Sequence, residues 1–145
     1  MLRRLGDLVA ENAEAIEGRG FSLVPFDQEA DIYIVNTCTV TARTDYQSRQ
    51  LVRRAARLNP AAAIVATGCY AQVAPESLRG LPGVVHVVGT AEKSRIPEMI
   101  AGLDLTRPGV VFVGDLSSAR TFARPGAIRF AGHTRAFLKV QEGCD

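Results

Sequence analysis

Three cysteines, Cys38, Cys69 and Cys144, are the side chains of this sequence best suited to metal chemistry. A thiolate is the soft donor that iron, zinc and iron–sulfur clusters select, and it is also the reactive form of the residue. The three are widely spaced and odd in number. A disulfide framework would show an even set and a zinc ribbon would show C-x-x-C pairs, and neither pattern is present. Their context says more. Cys38 follows the apolar run Ile32-Tyr33-Ile34-Val35, and Cys69 follows Ala63-Ile64-Val65-Ala66, each by one short turn. Each also precedes a stretch expected to be helical, whose N-terminal dipole favours a thiolate. Two such residues on neighbouring loops at one end of a sheet can share a metal or a cluster, far apart in sequence as they are. The alternative is a pair of reduced cysteines buried in the core, a common state of cysteine in an intracellular fold. The residues alone leave both readings open.

Arginine is the second chemistry-bearing residue. Arg49, Arg53 and Arg57 recur at i, i+4 and i+8, with Arg54 beside them, so one helix carries a basic stripe. Arg120, Arg124, Arg129 and Arg135 dot the C-terminal stretch. The net charge of +2 is too small to imply nucleic acid by itself. The stripe reads as a solvated helix face or as a set of phosphate contacts.

These side chains need elements to position them, and the apolar pattern supplies a set. Leu5, Leu8, Val9, Ala13 and Ile16 follow a period near 3.6, which predicts a helix over 2–18 with Gly18 and Gly20 as its stop. Residues 21–25 alternate as a short strand. Ile32–Val35, Ala63–Ala66 and Val84–Val88 are β-branched runs of the kind buried on both faces of a parallel sheet. A helix over about 44–58 presents Leu51, Val52, Ala55 and Leu58 inward and ends at Asn59-Pro60. Pro75-Glu76 suits the first turn of a short helix, and Ile96, Met99, Ile100 and Leu103 mark another. Val110–Val113 reads as one more strand. Strand alternating with helix predicts an α/β fold: a layered parallel sheet flanked by helices, flavodoxin- or Rossmann-like, over residues 1–115. Residues 116–134 lose periodicity and gather Ser, Arg, Gly and Pro, as a linker does. Residues 135–145 open with renewed alternation, like the first strand of a new domain.

Composition narrows the class. With 145 residues, 47% of them apolar and 22% charged, the chain is ordinary for a soluble domain. It has no apolar run long enough to span a membrane and no secretory leader pattern, so a cytoplasmic location is expected. Gly18-Arg19-Gly20 precedes a strand instead of joining a strand to a helix, so it is no phosphate loop.

Four segments, in order, resemble the radical-SAM methylthiotransferases. Asn36-Thr37-Cys38-Thr39-Val40-Thr41, followed by Gln47-Ser48-Arg49-Gln50, is similar to their second cysteine segment, and Thr67-Gly68-Cys69-Tyr70-Ala71-Gln72 to their third. Leu81-Pro82-Gly83-Val84 leading to Val88-Gly89 also fits. Thr134 to Asp145, with Gln141-Glu142-Gly143-Cys144, is similar to the approach to the radical-SAM cluster, where Cys144 would be the first cysteine of C-x-x-x-C-x-x-C.

The resemblance implies an amino-terminal α/β domain, a radical-SAM barrel and an RNA-binding domain. It implies that Cys38 and Cys69 are two of three ligands of an auxiliary [4Fe-4S] cluster whose open iron carries sulfur. It further implies that the barrel cleaves S-adenosylmethionine and that tRNA is the substrate. Within the family the closest likeness is to the branch modifying N6-threonylcarbamoyladenosine at position 37, and Arg49, Arg53 and Arg57 become candidate RNA contacts. Two departures stand out. The first cysteine, expected in a Leu-Gly-Cys loop, is replaced by Leu5-Gly6-Asp7, read as the mark of a shortened start in preference to an aspartate ligand. The barrel is cut off after Cys144, so the chain is expected to be inactive alone, or to work with a separately encoded barrel. The competing class is a non-catalytic flavodoxin-like binding module whose cysteines are structural.

Overall fold

The computed structural model describes residues 3–7, 13–102 and 110–115. Its centre is a pair of strands, β3 (Ile32–Thr37) and β4 (Ala63–Gly68). Every residue of β4 is buried, as are all of β3 except Asn36, which is what a β-branched run needs when helices cover both faces of a sheet. Around this pair lie β1 (Arg3–Asp7), β2 (Phe21–Val24), β5 (Val84–Val88) and β6 (Val110–Phe112). All neighbours run parallel, in the order β2-β1-β3-β4-β5-β6. The expected layered parallel sheet is therefore present. The order reverses between β1 and β3, the topological position at which sites form in open parallel sheets.

Side-chain alternation divides the core in two. Ile32, Ile34, Ala63, Val65 and Val88 face α1 (Ala13–Glu17) and α5 (Ile96–Ala101), meeting Ile16, Ile96 and Ile100. Tyr33, Val35, Ile64, Ala66 and Val87 face the other layer. There they meet Val52 and Ala55 of α2 (Ala42–Leu58), Tyr70 and Ala71 of α3 (Cys69–Val73) and Leu78 of α4 (Pro75–Arg79). Tyr33 is fully buried, and its hydroxyl donates to the Gln28 carbonyl at 2.8 Å and accepts from the Ala30 N–H at 3.0 Å.

The longest helix, α2, begins two residues before the expected start because Thr41 and Thr44 cap it reciprocally. The Thr44 N–H donates to Thr41 Oγ1 at 3.2 Å, and the Thr41 N–H donates to Thr44 Oγ1 at 2.9 Å. Threonine here fills the place that Glu or Gln holds in the usual capping box. At the other end Asn59 donates from Nδ2 to the Ala30 carbonyl at 2.9 Å, tying the helix to the loop before β3.

One expectation fails. The helix over 2–18 is present only as α1, and residues 3–7 form a strand. The leucine spacing there suits a helix locally. In the fold, however, β1 lies between β2 and β3 and pairs with both, Leu5 with Leu23 and Ile32, and Gly6 with Val24 and Tyr33. Two ladders outweigh the small difference in local propensity. Leu5-Gly6-Asp7 is thus the end of a strand, not a loop remnant without one. The predicted Leu103, the linker 116–134, the strand from 135 and Cys144 lie outside the described residues, as do Arg120, Arg124, Arg129 and Arg135.

β5 carries an irregularity. Ile64 pairs with Val84 and Val65 pairs with His86, so Val85 is an extra residue on its strand. His86 then stacks its ring edge on Phe112, centroids 5.3 Å apart, with Nδ1 buried and without a hydrogen-bond partner. Burial lowers its pKa, against a smaller raising effect from a backbone hydrogen bond at Val85. The folded state thus holds His86 neutral where an unfolded chain would protonate it, so stability is full above 6.5 and falls as pH drops below that value. Chemical denaturation at neutral and at mildly acidic pH should show the parent losing more stability on acidification than the His86→Phe variant. Equal losses would remove His86 from the account.

Candidate functional site

The carboxyl ends of β3 and β4 finish on a matched pair, Thr37 opposite Gly68, and the residue after each is a cysteine. Two details hold this edge close. Gly68 has φ +97°, and a Cβ there would collide with the Thr37 carbonyl oxygen and lie 2.5 Å from Asn36 Oδ1. Only glycine accepts both that backbone and that proximity. Thr37, itself buried, donates from Oγ1 to the Thr67 carbonyl at 2.6 Å and accepts from the Ala71 N–H at 3.2 Å. One hydroxyl thereby joins β3, β4 and α3.

Cys38 and Cys69 are both free and both exposed. The two predicted ligands are therefore brought to one edge of the sheet, on adjacent loops. The reading of them as buried structural cysteines does not hold, because the strands bury their apolar residues and stop one position short of each thiol. The dipole argument is weaker than the sequence suggested. Cys69 begins a helix of only five residues, and Cys38 precedes the Thr41 cap of α2 by three positions.

Neighbouring side chains fix both loops. Ser48, buried on α2, accepts from the Cys38 N–H at 3.1 Å and donates to the Cys38 carbonyl at 3.2 Å. Arg49 donates from Nη1 to the Tyr70 hydroxyl at 2.7 Å, with its guanidinium 5.9 Å from that ring's centroid. Beyond Cys69, Gln72 accepts from the Thr90 N–H at 3.0 Å and donates to the Gly114 carbonyl at 2.9 Å. Glu92 accepts from the Gly114 N–H at 3.1 Å with one oxygen, while the other is buried beside Gly89 without a partner. Gln72 and Glu92 thus gather the ends of β5 and β6 onto the same edge. Sequence reasoning missed both roles. Gln72 had a signal in its place three residues after Cys69, and Glu92 had none.

The arginine stripe is only partly the free surface expected. Arg49 is engaged with Tyr70, and Arg54 lies 6.0 Å over the Phe26 ring. Arg53 is half-buried and Arg57 exposed. Even so, α2 carries five arginines against a single aspartate, Asp45. As a metal centre the edge supplies two thiols, a donor set that suits soft metals and iron–sulfur clusters. Among the described residues no three His, Cys, Asp or Glu side chains are grouped to hold a metal ion. Asp7 is level with Ile34, three positions short of Thr37. Also among the described residues, no helix is long and apolar enough to cross a membrane.

Comparison with known proteins gives a consistent result. Residues 9–89 match the model of uncharacterized protein family UPF0004. The chain is 41% identical over 126 residues to the threonylcarbamoyladenosine tRNA methylthiotransferase MtaB of Bacillus subtilis, covering 87% of this chain and 28% of that protein. It is 41% identical over 127 residues to the protein of the same name from Aquifex aeolicus, covering 88% of this chain and 31% of the relative. A tRNA-2-methylthio-N(6)-dimethylallyladenosine synthase from Geobacter metallireducens is 33% identical over 138 residues, covering 92% of this chain and 31% of that protein. The chain thus spans under a third of the length of these curated relatives. No solved structure matches it.

The geometry makes Gly68 the residue that sets the spacing of the edge. Gly68→Ala should cost at least about 1–3 kcal/mol of stability through backbone strain alone, with the steric contact added. Cys38→Ala and Cys69→Ala, at exposed positions, should each change it by less than about 0.5 kcal/mol. Urea denaturation of the three variants measures both. A neutral Gly68→Ala would show that the strand ends are not in contact.

Proposed function

We propose, because the chain belongs to the methylthiotransferase family that UPF0004 describes, that it is the cluster-bearing amino-terminal part of an enzyme that adds a methylthio group to tRNA. The observation that carries the reading is the pair of exposed thiols following the matched residues Thr37 and Gly68. In this reading Cys38 and Cys69 are two thiolate ligands of an auxiliary [4Fe-4S] cluster. Such a cluster, held by three thiolates, keeps one iron open to bind and deliver sulfur. The protein's own task is to present the two thiols outward from a rigid edge. Thr37 and Ser48 do this by satisfying the backbone around Cys38 and Cys69, so that neither loop needs to fold back on its own polar groups.

The relatives' names point to threonylcarbamoyladenosine in tRNA, and the proposed product is the 2-methylthio derivative at position 37. Residues 1–115 are the α/β domain, 116–134 a linker and 135–145 the opening of a radical-SAM barrel. Cys144 belongs to the barrel's own cluster, where S-adenosylmethionine binds. A radical-SAM barrel completes the enzyme in this reading. Arg53 and Arg57, on the outer side of α2, contact tRNA phosphates, positioning the RNA without reading its sequence. A cytoplasmic location follows from a tRNA substrate.

The test is a chimera. Residues 20–145 of the chain replace the matching segment of the Bacillus subtilis relative, whose own opening segment stays in place to supply the third thiolate, in cells lacking their own copy. Mass spectrometry of tRNA nucleosides should recover the 2-methylthio derivative of threonylcarbamoyladenosine. Cys38→Ala or Cys69→Ala should abolish it and should also remove the [4Fe-4S] absorption of the anaerobically purified chimera, since three thiolates leave none to spare. Methylthiolation that survives either replacement would refute the cluster assignment.

A further inference from the structure

Two consecutive residues of one helix hold the two cysteine loops. Ser48 takes both backbone polar groups of Cys38, and Arg49 takes the hydroxyl of Tyr70, the residue after Cys69. Adjacent positions on a helix point about 100° apart, so one turn of α2 can reach inward to one loop and sideways to the other. The helix is a firm base for this. Val52 and Ala55 are fully buried against the sheet, the Thr41–Thr44 box closes its start, and Asn59 ties its end to Ala30. Tyr70 is almost wholly buried, with its ring in the same core layer. The Arg49–Tyr70 bond therefore joins α2 to α3.

From this arrangement we infer that Ser48 and Arg49 are positioning residues that together set the separation of the Cys38 and Cys69 thiols, and that Arg49 serves this edge instead of an RNA phosphate. The inference rests on the reading of Cys38 and Cys69 as a ligand pair, and it adds a purpose for Arg49, which that reading does not use. Thr37 ties the strand ends and the Ala71 N–H, and Gln72 ties α3 to the ends of β5 and β6, but neither reaches α2. From α2 the ties are Ser48 to Cys38 on one side and Arg49 to Tyr70 on the other. A charged donor on a phenol oxygen is a stronger tie than a neutral pair, and the ring face adds to it. Replacing Arg49 by an apolar residue leaves α2 docked through Val52 and Ala55 and frees α3 to shift. The thiols then keep their individual exposure and lose their mutual register.

Phenylarsine oxide provides a probe that reads register separately from exposure. Its As=O group condenses with two thiols, forming two As–S bonds and releasing one water, and it needs both sulfurs at once. The full chain carrying Cys144→Ser leaves only the pair in question. That protein should bind one arsenical per chain. Tyr70→Phe keeps the buried ring and removes only the hydroxyl, and Ser48→Ala removes the Cys38 tie. Each should weaken arsenical binding by about tenfold or more, which is about 1.4 kcal/mol. Arg49→Met should do the same, and Arg49→Lys, which retains a charged donor, should recover part of the loss. Alkylation of each thiol by iodoacetamide should proceed at the parent's rate in all variants. Arsenical binding unchanged in Tyr70→Phe, Ser48→Ala and Arg49→Met would overturn the positioning role and leave the ligand pair intact. A parent whose two thiols alkylate readily but never bridge would overturn both.

Discussion

The contact between the end of β3 and the end of β4 is the constraint on which the remaining geometry depends. In a parallel pair the two chains leave their last matched residues in the same direction, and whatever follows is delivered to the same place. Here those residues are Thr37 and Gly68. The absence of a Cβ at Gly68 lets the Thr37 carbonyl approach its backbone, and the Thr37 hydroxyl reaches across to Thr67 and on to Ala71. With a larger residue at 68 the strands would part at the point where the thiols emerge. Exposure of Cys38 and Cys69 follows from the same arrangement: the buried stretches end at 37 and 68, and the next residue on each chain lies past the rim of the core.

The same helix serves three purposes, separated by direction. Its inner face gives Val52 and Ala55 to the core and Ser48 to the Cys38 loop, its flank gives Arg49 to Tyr70, and its outer side carries the remaining arginines. Periodicity assigns the first and last of these, because 3.6-residue spacing sorts apolar from charged positions. Ser48 and Arg49, where the inner face meets the flank, satisfy polar groups of the two cysteine loops while the helix stays docked on the sheet. A second support comes from Gln72 and Glu92, which pull the ends of β5 and β6 onto this edge. Four consecutive strand ends are thereby tied into one surface.

Much of this was legible in the residues. The runs at 32–35, 63–66 and 84–88 are too apolar and too β-branched to be surface structure, and they appear as the three central strands. That placed Cys38 and Cys69 at strand ends before any coordinates. What could not be read is what depends on contacts distant in sequence. Residues 3–7 show a helical spacing and pair as a strand, because β2 and β3 offer ladders on both sides. Arg49 sits in a regular i, i+4, i+8 stripe, and only the fold reveals Tyr70, 21 positions away, as its partner. The extra residue at Val85 and the unpartnered nitrogen of His86 likewise arise from the register between neighbouring strands, not from any local pattern.

The central claim is that a parallel strand pair delivers two exposed thiols to one place. Nitroxide spin labels on Cys38 and Cys69, with Cys144 replaced by serine, measure this without any metal. The frozen-solution electron paramagnetic resonance spectrum of the doubly labelled chain should be strongly broadened by dipolar coupling, and the broadening should vanish when either cysteine alone is labelled. A doubly labelled spectrum equal to the sum of the two singly labelled ones would place the thiols apart and contradict the account.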